Sequence, residues 1–256
     1  MTRHLINHKL KLGIVLFILG LVGIFSILTM EIPLPPEVVA ILNEQFSQEQ
    51  IKLLMLINPT IMLIVAVIGG VLLHDKVKLG VPLIEKLLGI KNNLSNPTEI
   101  LVYGVAAGLL SGILLSLIGF VFTPVLPLEF MELGETLKPT LAARFLYGGL
   151  TEEILMRFGL LTFVVWLSSK IFGPKKPIIY WVGIFLAAII FAFGHFPIAY
   201  QAVENPSSSL LTYILIGNVV GGIIFGWVYW KKGLESAFIA HIFTHIILVG
   251  AEPILK

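Results

Sequence analysis

The chain contains no cysteine, so disulfides, thiolate metal sites and cysteine nucleophiles are all excluded, and the redox compartment is left open. Charge is scarce too. Only 12% of the 256 residues are Asp, Glu, Lys or Arg, and a net charge of +2 is too small to argue for nucleic-acid binding. Internal repeats and low-complexity tracts are missing, which gives an inverted-repeat transporter no support. What the chain does have is apolar residues, at 57% hydrophobic and a mean hydropathy of +0.98. No ordinary soluble domain could hide that much apolar surface. The expectation is an all-α fold, a polytopic transmembrane helical bundle, with 24 Gly and 14 Pro spread through it.

A helix crossing about 30 Å of hydrocarbon needs about 20 mostly apolar residues. Windows 12–30, 51–73, 100–123, 141–168, 178–195, 210–230 and 234–250 come close to that, which predicts about seven spans. The first window follows Arg3, Lys9 and Lys11, but Thr29-Met30-Glu31 offers no small-residue cleavage site, so a retained anchor is expected. Lys and Arg in the connections number twelve on one set of alternate sides and two on the other. That asymmetry places the amino terminus in the cytoplasm and the carboxyl terminus outside. Tyr180, Trp181, Trp227, Tyr229 and Trp230 fall at the cytoplasmic ends of spans five and six, where an aromatic belt is expected. Residues 81–90 read as a short amphipathic segment on the cytoplasmic interface. Residues 31–50 hold Pro33, Pro35 and Pro36, then a second amphipathic stretch, and Pro59 is expected to kink span two. Short loops and absent cysteines suggest a prokaryotic cytoplasmic membrane.

The informative charges lie inside the membrane. Span four carries Arg144, Glu152, Glu153 and Arg157, and each charge at the bilayer centre costs at least about 2.5 kcal/mol. Glu153 and Arg157 are four apart and can pair on one helix face. Glu152 lies about 100° around an α-helix from that pair and has no such partner, which makes it a site candidate. Arg144, near the outer end, is expected to snorkel. His195 stands near the end of span five, and His241 and His245 share one face of span seven. Counting about 1.5 Å per residue puts His195, His241 and His245 about 18, 11 and 17 Å from the cytoplasmic side, and Glu152 about 14 Å. Four polar groups from three helices thus share one layer. In span six, Asn218 reads as a polar rivet among Gly217, Gly221, Gly222 and Gly226, which form small-xxx-small packing faces. Phe191 alone reads as a lipid or core residue.

These residues fall into three ordered motifs. Glu152 to Arg157 matches EExxxR, Phe191 to His195 matches FxxxH, and His241 to His245 nearly matches HxxxN. Their order, spacing and placement resemble the CPBP family, which comprises CAAX prenyl endopeptidases and bacteriocin-processing or self-immunity (Abi) proteins, all polytopic intramembrane proteases. The resemblance covers roughly residues 144–247. It divides the chain into residues 1–140, with no matched motif, and a CPBP-like core of four transmembrane helices at 141–256.

The resemblance implies an intramembrane endopeptidase acting on membrane-associated or lipidated CAAX-like proteins or on leader peptides, with membrane lipids as surroundings. Glu152 and His195 would activate the attacking water. His241 and His245 would stabilise the oxyanion, with His245 where the family usually has Asn, and Glu153 and Arg157 would brace the site with Phe191 in support. Three His and one Glu could also form a zinc site from Glu152, His195, His241 and His245, so a metal-dependent protease is a second route. The hydrolytic chemistry also makes sense from the residues themselves. A desolvated Glu152 is suited to take a proton from water, His195 to orient that water, and His241 and His245 to face the developing oxyanion. Arg157 and His241 lie nearer the cytoplasmic side, so a cavity open to the cytoplasm is expected.

Two other classes remain. A proton-coupled transporter would also place Glu and His in mid-membrane, but should line a whole path with polar groups. A non-catalytic scaffold or immunity protein would keep the fold and tolerate Gln at 152. Other intramembrane proteases fit worse, because HExxH, GxGD and GxSG are all absent.

Overall fold

The computed structural model describes residues 2–30, 36–90, 96–137, 139–174 and 176–255. Among these, the regular structure is entirely helical. Seven helical stretches are long and apolar enough to cross a membrane: Asn7–Thr29, Gln48–Val77, Pro97–Val125, Ala143–Phe172, Pro177–Gln201, Ser208–Lys232 and Leu234–Glu252. They are called spans one to seven below. Helices and closed barrels are the structures that satisfy every backbone group in lipid, and an apolar chain without strand alternation takes the helical solution. Pro33 and Pro35 lie outside the described residues. Pro36 opens the helix Pro36–Asn43. Pro59 sits in the first turn of the helix Ile57–Leu73, after an interruption at Met55 and Leu56, so it starts a segment of span two instead of kinking its middle.

The two ends of the bundle are distinct. At the Lys- and Arg-rich end, Lys9 pairs with Asp75 at 3.1 Å and Lys232 pairs with Glu99. The segment 81–90, expected as an interfacial amphipathic helix, contains the short helix Pro82–Leu87, in which Ile84 packs on the core and Lys86 is exposed. Glu85 turns inward and is buried, Leu87 is exposed, and Glu235 of span seven accepts from the backbone N–H groups of Leu83 and Ile84 at 2.8 and 2.9 Å. A carboxylate capping two helix-start donors ties this segment to the bundle. Part of the aromatic belt is also internal. Tyr180 donates to the Val77 carbonyl and stacks on Trp230, and the buried Tyr229 hydroxyl pairs with Thr162.

At the opposite end, the hydroxyls of Thr29 and Thr140 meet at 2.6 Å. There the Arg144 guanidinium donates to Glu252 at 2.7 Å and to the Pro139 carbonyl at 3.1 Å. The rings of Phe122 and Phe130 pack on Tyr213 at the same end.

Lipid tails are as apolar as Leu, so close packing of small residues and polar contacts must hold the spans together. The expected glycine face of span six does this. A Cβ at Gly222 would come within 2.7 Å of Ala188, and one at Gly226 within 3.1 Å of Ile184 and Leu161, so spans five and six touch nearly backbone to backbone. A second stripe, Gly104, Gly108 and Gly112 on span three, seats span seven in the same way, against Ile239, Phe243 and Ile247. Thr244 and Ser236 of span seven donate to the carbonyls of Gly108 and Ile100 across that seam, at 3.3 and 3.0 Å. The motif-free third span therefore fixes the helix that carries His241 and His245. One buried cluster runs from Leu12 and Leu16 of span one through Leu63 of span two to Ile154 and Phe158 of span four, reaching Ile184, Tyr229 and Phe238.

Candidate active site

Span four is not an ordinary α-helix where it passes the site. Residues Ala143–Glu152 and Ile154–Leu161 are wound as π-helix, with i→i+5 hydrogen bonds, a form rare beyond single turns and common at functional sites. The wider winding is wedged among close neighbours. A Cβ at Gly149 would come within 2.5 Å of Ile242, and one at Gly159 within 2.6 Å of Ala66. Thr151 donates to the Gly20 carbonyl at 2.8 Å and anchors the segment to span one.

Glu153 points into the protein and is completely buried. Its Oε1 accepts from His241 Nδ1 at 2.7 Å and lies 3.1 Å from Arg157 Nη1. The i,i+4 pair anticipated in the sequence is present, and it extends across helices to a histidine. The Arg157 guanidinium sits 5.4 Å from the Phe191 ring centre and 5.2 Å from that of Phe225. Two aromatic faces help hold this buried cation. Phe191 is therefore part of the site and not a lipid-facing residue, and its ring also meets the His195 ring edge-on at 4.5 Å.

The histidines have defined orientations. His195 Nδ1 donates to the Phe191 carbonyl at 2.9 Å, which leaves Nε2 as the lone-pair nitrogen of the neutral ring. The His241 ring lies between Phe225, at 4.7 Å, and His245, at 4.9 Å, nearly parallel to both. His245 Nδ1 is buried without a partner. An orphan N–H there would cost more than an orphan lone pair, so the neutral ring carries its hydrogen on Nε2. That nitrogen lies 2.9 Å from where a Cβ of Gly148 would stand, with His241 Nε2 at 3.5 Å from the same point.

A cavity of about 650 Å³ receives Glu152, His195, His241 and His245, together with Tyr147 and Asn218. This volume suits a peptide segment or a lipid-sized group. The four residues singled out in sequence thus share one chamber, and Glu153, Arg157 and Phe225 form the floor beneath it. Asn218 is not an interhelical rivet, because its amide donates to the Ile214 carbonyl of its own helix at 2.9 Å and its side chain faces the cavity. Phe225 and Tyr147 carried no sequence signal beyond being aromatic near a motif or a glycine face.

The alternative of a zinc site from Glu152, His195, His241 and His245 gains no support from the geometry. Among the described residues no three His, Asp or Glu side chains stand together closely enough to hold a metal ion, and the Nδ1 atoms of His195 and His241 are committed to a carbonyl and a carboxylate. The cavity walls run through Ile118, Phe130, Pro139, Ile198 and Leu248, all toward the charge-poor end. Arg157, Phe158 and Tyr229 are all buried to within 2%.

Comparison with known proteins agrees with the motifs. The family model for type II CAAX prenyl endopeptidases, Rce1-like, matches residues 135–247. No curated protein and no solved structure matches the chain. The matched stretch contains Glu152, Glu153, Arg157, Phe191, His195, His241 and His245. The match is thus to the Rce1-like family model of type II CAAX prenyl endopeptidases over residues 135–247, in agreement with the CPBP family that the three motifs resemble.

Proposed function

We propose that the protein is an intramembrane endopeptidase that hydrolyses peptide bonds of membrane-associated or lipidated substrates with a water activated by Glu152, in a prokaryotic cytoplasmic membrane. The observation that carries this reading is the single chamber in which Glu152, His195, His241 and His245 face one another above a buried Arg157–Glu153 floor. Its walls are largely apolar, as a lipid-modified or hydrophobic segment requires.

In this reading water enters between Glu152 and His195. Glu152 takes one proton as the water oxygen attacks the scissile carbonyl carbon, and His195 Nε2, fixed as an acceptor, holds the other hydrogen and aims the lone pair. The oxyanion is met by the Nε2–H of His245, which supplies the neutral donor that an Asn amide would give. His241 takes a role different from the one the resemblance implies. With its hydrogen on Nδ1 toward Glu153, its Nε2 is an acceptor while the ring is neutral. It therefore suits the second half of the reaction, receiving the proton that Glu152 gained and passing it to the departing amine, with Glu153 as counter-ion to the transient imidazolium. The C–N bond breaks as that nitrogen is protonated, and Glu152 returns to the carboxylate form. The residues do not fit a metal centre, and no step depends on one.

The test is cleavage of a panel of lipidated and leader peptides by purified protein in matched detergent, read by mass spectrometry, for wild type and Glu152→Gln. Removing a positioned general base costs about 10²–10⁴-fold. Products that disappear with Gln would support the reading, and their cut positions would define the substrate branch. Equal product from both proteins would remove Glu152 from the mechanism.

A further inference from the structure

Most polar side chains that line the chamber are engaged with the protein or have a step in the reaction. Arg144 is held by Glu252 at 2.7 Å, and the Thr244 hydroxyl donates to the Gly108 and Ala240 carbonyls. Asn218 is different. Its Nδ2 donates to the Ile214 carbonyl at 2.9 Å, one turn back in the helix Ser208–Lys232. The helix already directs a backbone N–H at that carbonyl, so the bond orients the amide and adds little to the helix. A carboxamide has two donor hydrogens and one acceptor oxygen. Among the described residues the Asn218 oxygen accepts no hydrogen bond, and one N–H is left over. Asn disfavours helix interiors, and a polar group in a membrane span is costly. An amide that serves neither a neighbouring helix nor, to any extent, its own calls for a ligand.

Its position suits a peptide main chain. Asn218 shares a face of span six with Gly221 and Phe225, and Phe225 stacks on His241 at 4.7 Å. At about 1.5 Å per residue Asn218 lies about 10 Å along span six from Phe225, whereas His245 lies about 6 Å along span seven from His241. Spans six and seven are consecutive antiparallel helices joined at Gly233, so Asn218 stands about one helical turn beyond His245. Gly217 and Gly221 also line the chamber and leave the wall beside Asn218 bare, which lets a main chain come close. We propose that Asn218 is a substrate-binding residue that grips the peptide backbone, its amide oxygen accepting from one backbone N–H and its free N–H donating to the carbonyl of the same residue. In an extended chain these two groups point to one side. Such a chain advances about 3.3 Å per residue, so the residue held is one or two positions from the bond that is cut. The chamber then tolerates many side chains at that residue and rejects proline, which has no N–H. This rests on the proposed endopeptidase reading for the position of the cut, whereas the grip on the chain does not.

The test measures binding without hydrolysis. Full-length Glu152→Gln protein in detergent is titrated with fluorophore-labelled members of the lipidated and leader peptide panel. The tightest binder is then resynthesised with the backbone N–H of each successive residue replaced by an ester oxygen. One position is expected to bind about tenfold more weakly, the loss of one hydrogen bond with its partner left unpaired. Adding Asn218→Leu, which roughly keeps the side chain's size, should weaken the unmodified peptide by at least as much. The sensitive ester should then have no further effect, because both changes remove the same bond. With Glu152 restored, Asn218→Leu should raise KM about tenfold and leave kcat within about threefold. An amide that only supported its own helix would shift stability and leave the ester effect as it is. An ester series with no sensitive position, an ester effect that persists in Asn218→Leu, or no saturable binding of any peptide would each overturn the proposal. Coupling of the ester to Asn218 in a protein that cuts no peptide would leave the grip standing and remove the protease reading, so the two failures are seen apart.

Discussion

Glu153 holds His241 by a 2.7 Å hydrogen bond from Nδ1 to Oε1, and the same oxygen faces Arg157 at 3.1 Å. A residue that sequence spacing assigns to a structural ion pair therefore also sets the tautomer of a histidine on another helix. The two neighbouring glutamates consequently have separable roles. Glu153→Gln should destabilise the protein by about 3–5 kcal/mol, because it leaves the Arg157 cation buried without its counter-ion. It should also lower hydrolysis by weakening the hold on His241. Glu152→Gln, in a partly exposed side chain facing the cavity, should shift stability by no more than about 0.5 kcal/mol while abolishing cleavage. Thermal unfolding in detergent beside the peptide assay distinguishes the two, and equal destabilisation by both would refute the separation.

His245 stands where relatives are expected to carry Asn, and both side chains can offer a neutral N–H donor. His245→Asn should keep activity within about tenfold of wild type, whereas His245→Ala should lose about 10²–10³-fold in kcat, the usual cost of one oxyanion donor. KM should change little in either. If Ala and Asn behaved alike, the donor role would be wrong.

Gly148 keeps open the space in front of two imidazole nitrogens. A methyl there would stand 2.9 Å from His245 Nε2 and 3.5 Å from His241 Nε2. Gly148→Ala should therefore reduce kcat well beyond what its change in unfolding temperature explains, because both rings must move to admit it. Unaltered turnover would mean that the reacting atoms sit elsewhere in the chamber.

Span three carries no motif, but its glycine stripe governs the position of span seven. A Cβ at Gly108 would meet Phe243 at 2.5 Å and the Ala240 carbonyl at 2.6 Å. Gly108→Ala should cost about 1–3 kcal/mol by overpacking and lower activity by displacing His241 and His245. Gly119→Ala, on the same span where a Cβ would meet nothing within 4 Å, should do neither. Melting curves and cleavage rates of the pair settle this.

Much of the architecture was legible in the sequence because the bilayer imposes a length and a composition on each span. The layer of Glu152, His195, His241 and His245 was legible because buried ionisable groups in lipid are costly and therefore few. The floor of the site was not. Helical-wheel reasoning assumes α-winding, and span four is π-wound, so which glutamate meets span seven could not be read from spacing. Phe225 was hidden for a different reason, and Phe191 stood out only through its motif. An aromatic residue in a membrane helix is ordinary until the cation it covers is known, and Arg157 reaches them only through tertiary packing.

The contrast between floor and wall also says where this fold has room to vary. Arg157, Phe158 and Tyr229 are buried to within 2%, so a change of side-chain size there must be answered by several helices at once. Gly217 and Asn218 border the open space of the chamber instead, and a Cβ at Gly217 would meet nothing nearer than Leu115 at 3.9 Å. Divergence in what the chamber accepts is therefore cheapest along that stretch of span six, where new side chains alter the shape of the space and leave the helix packing as it is.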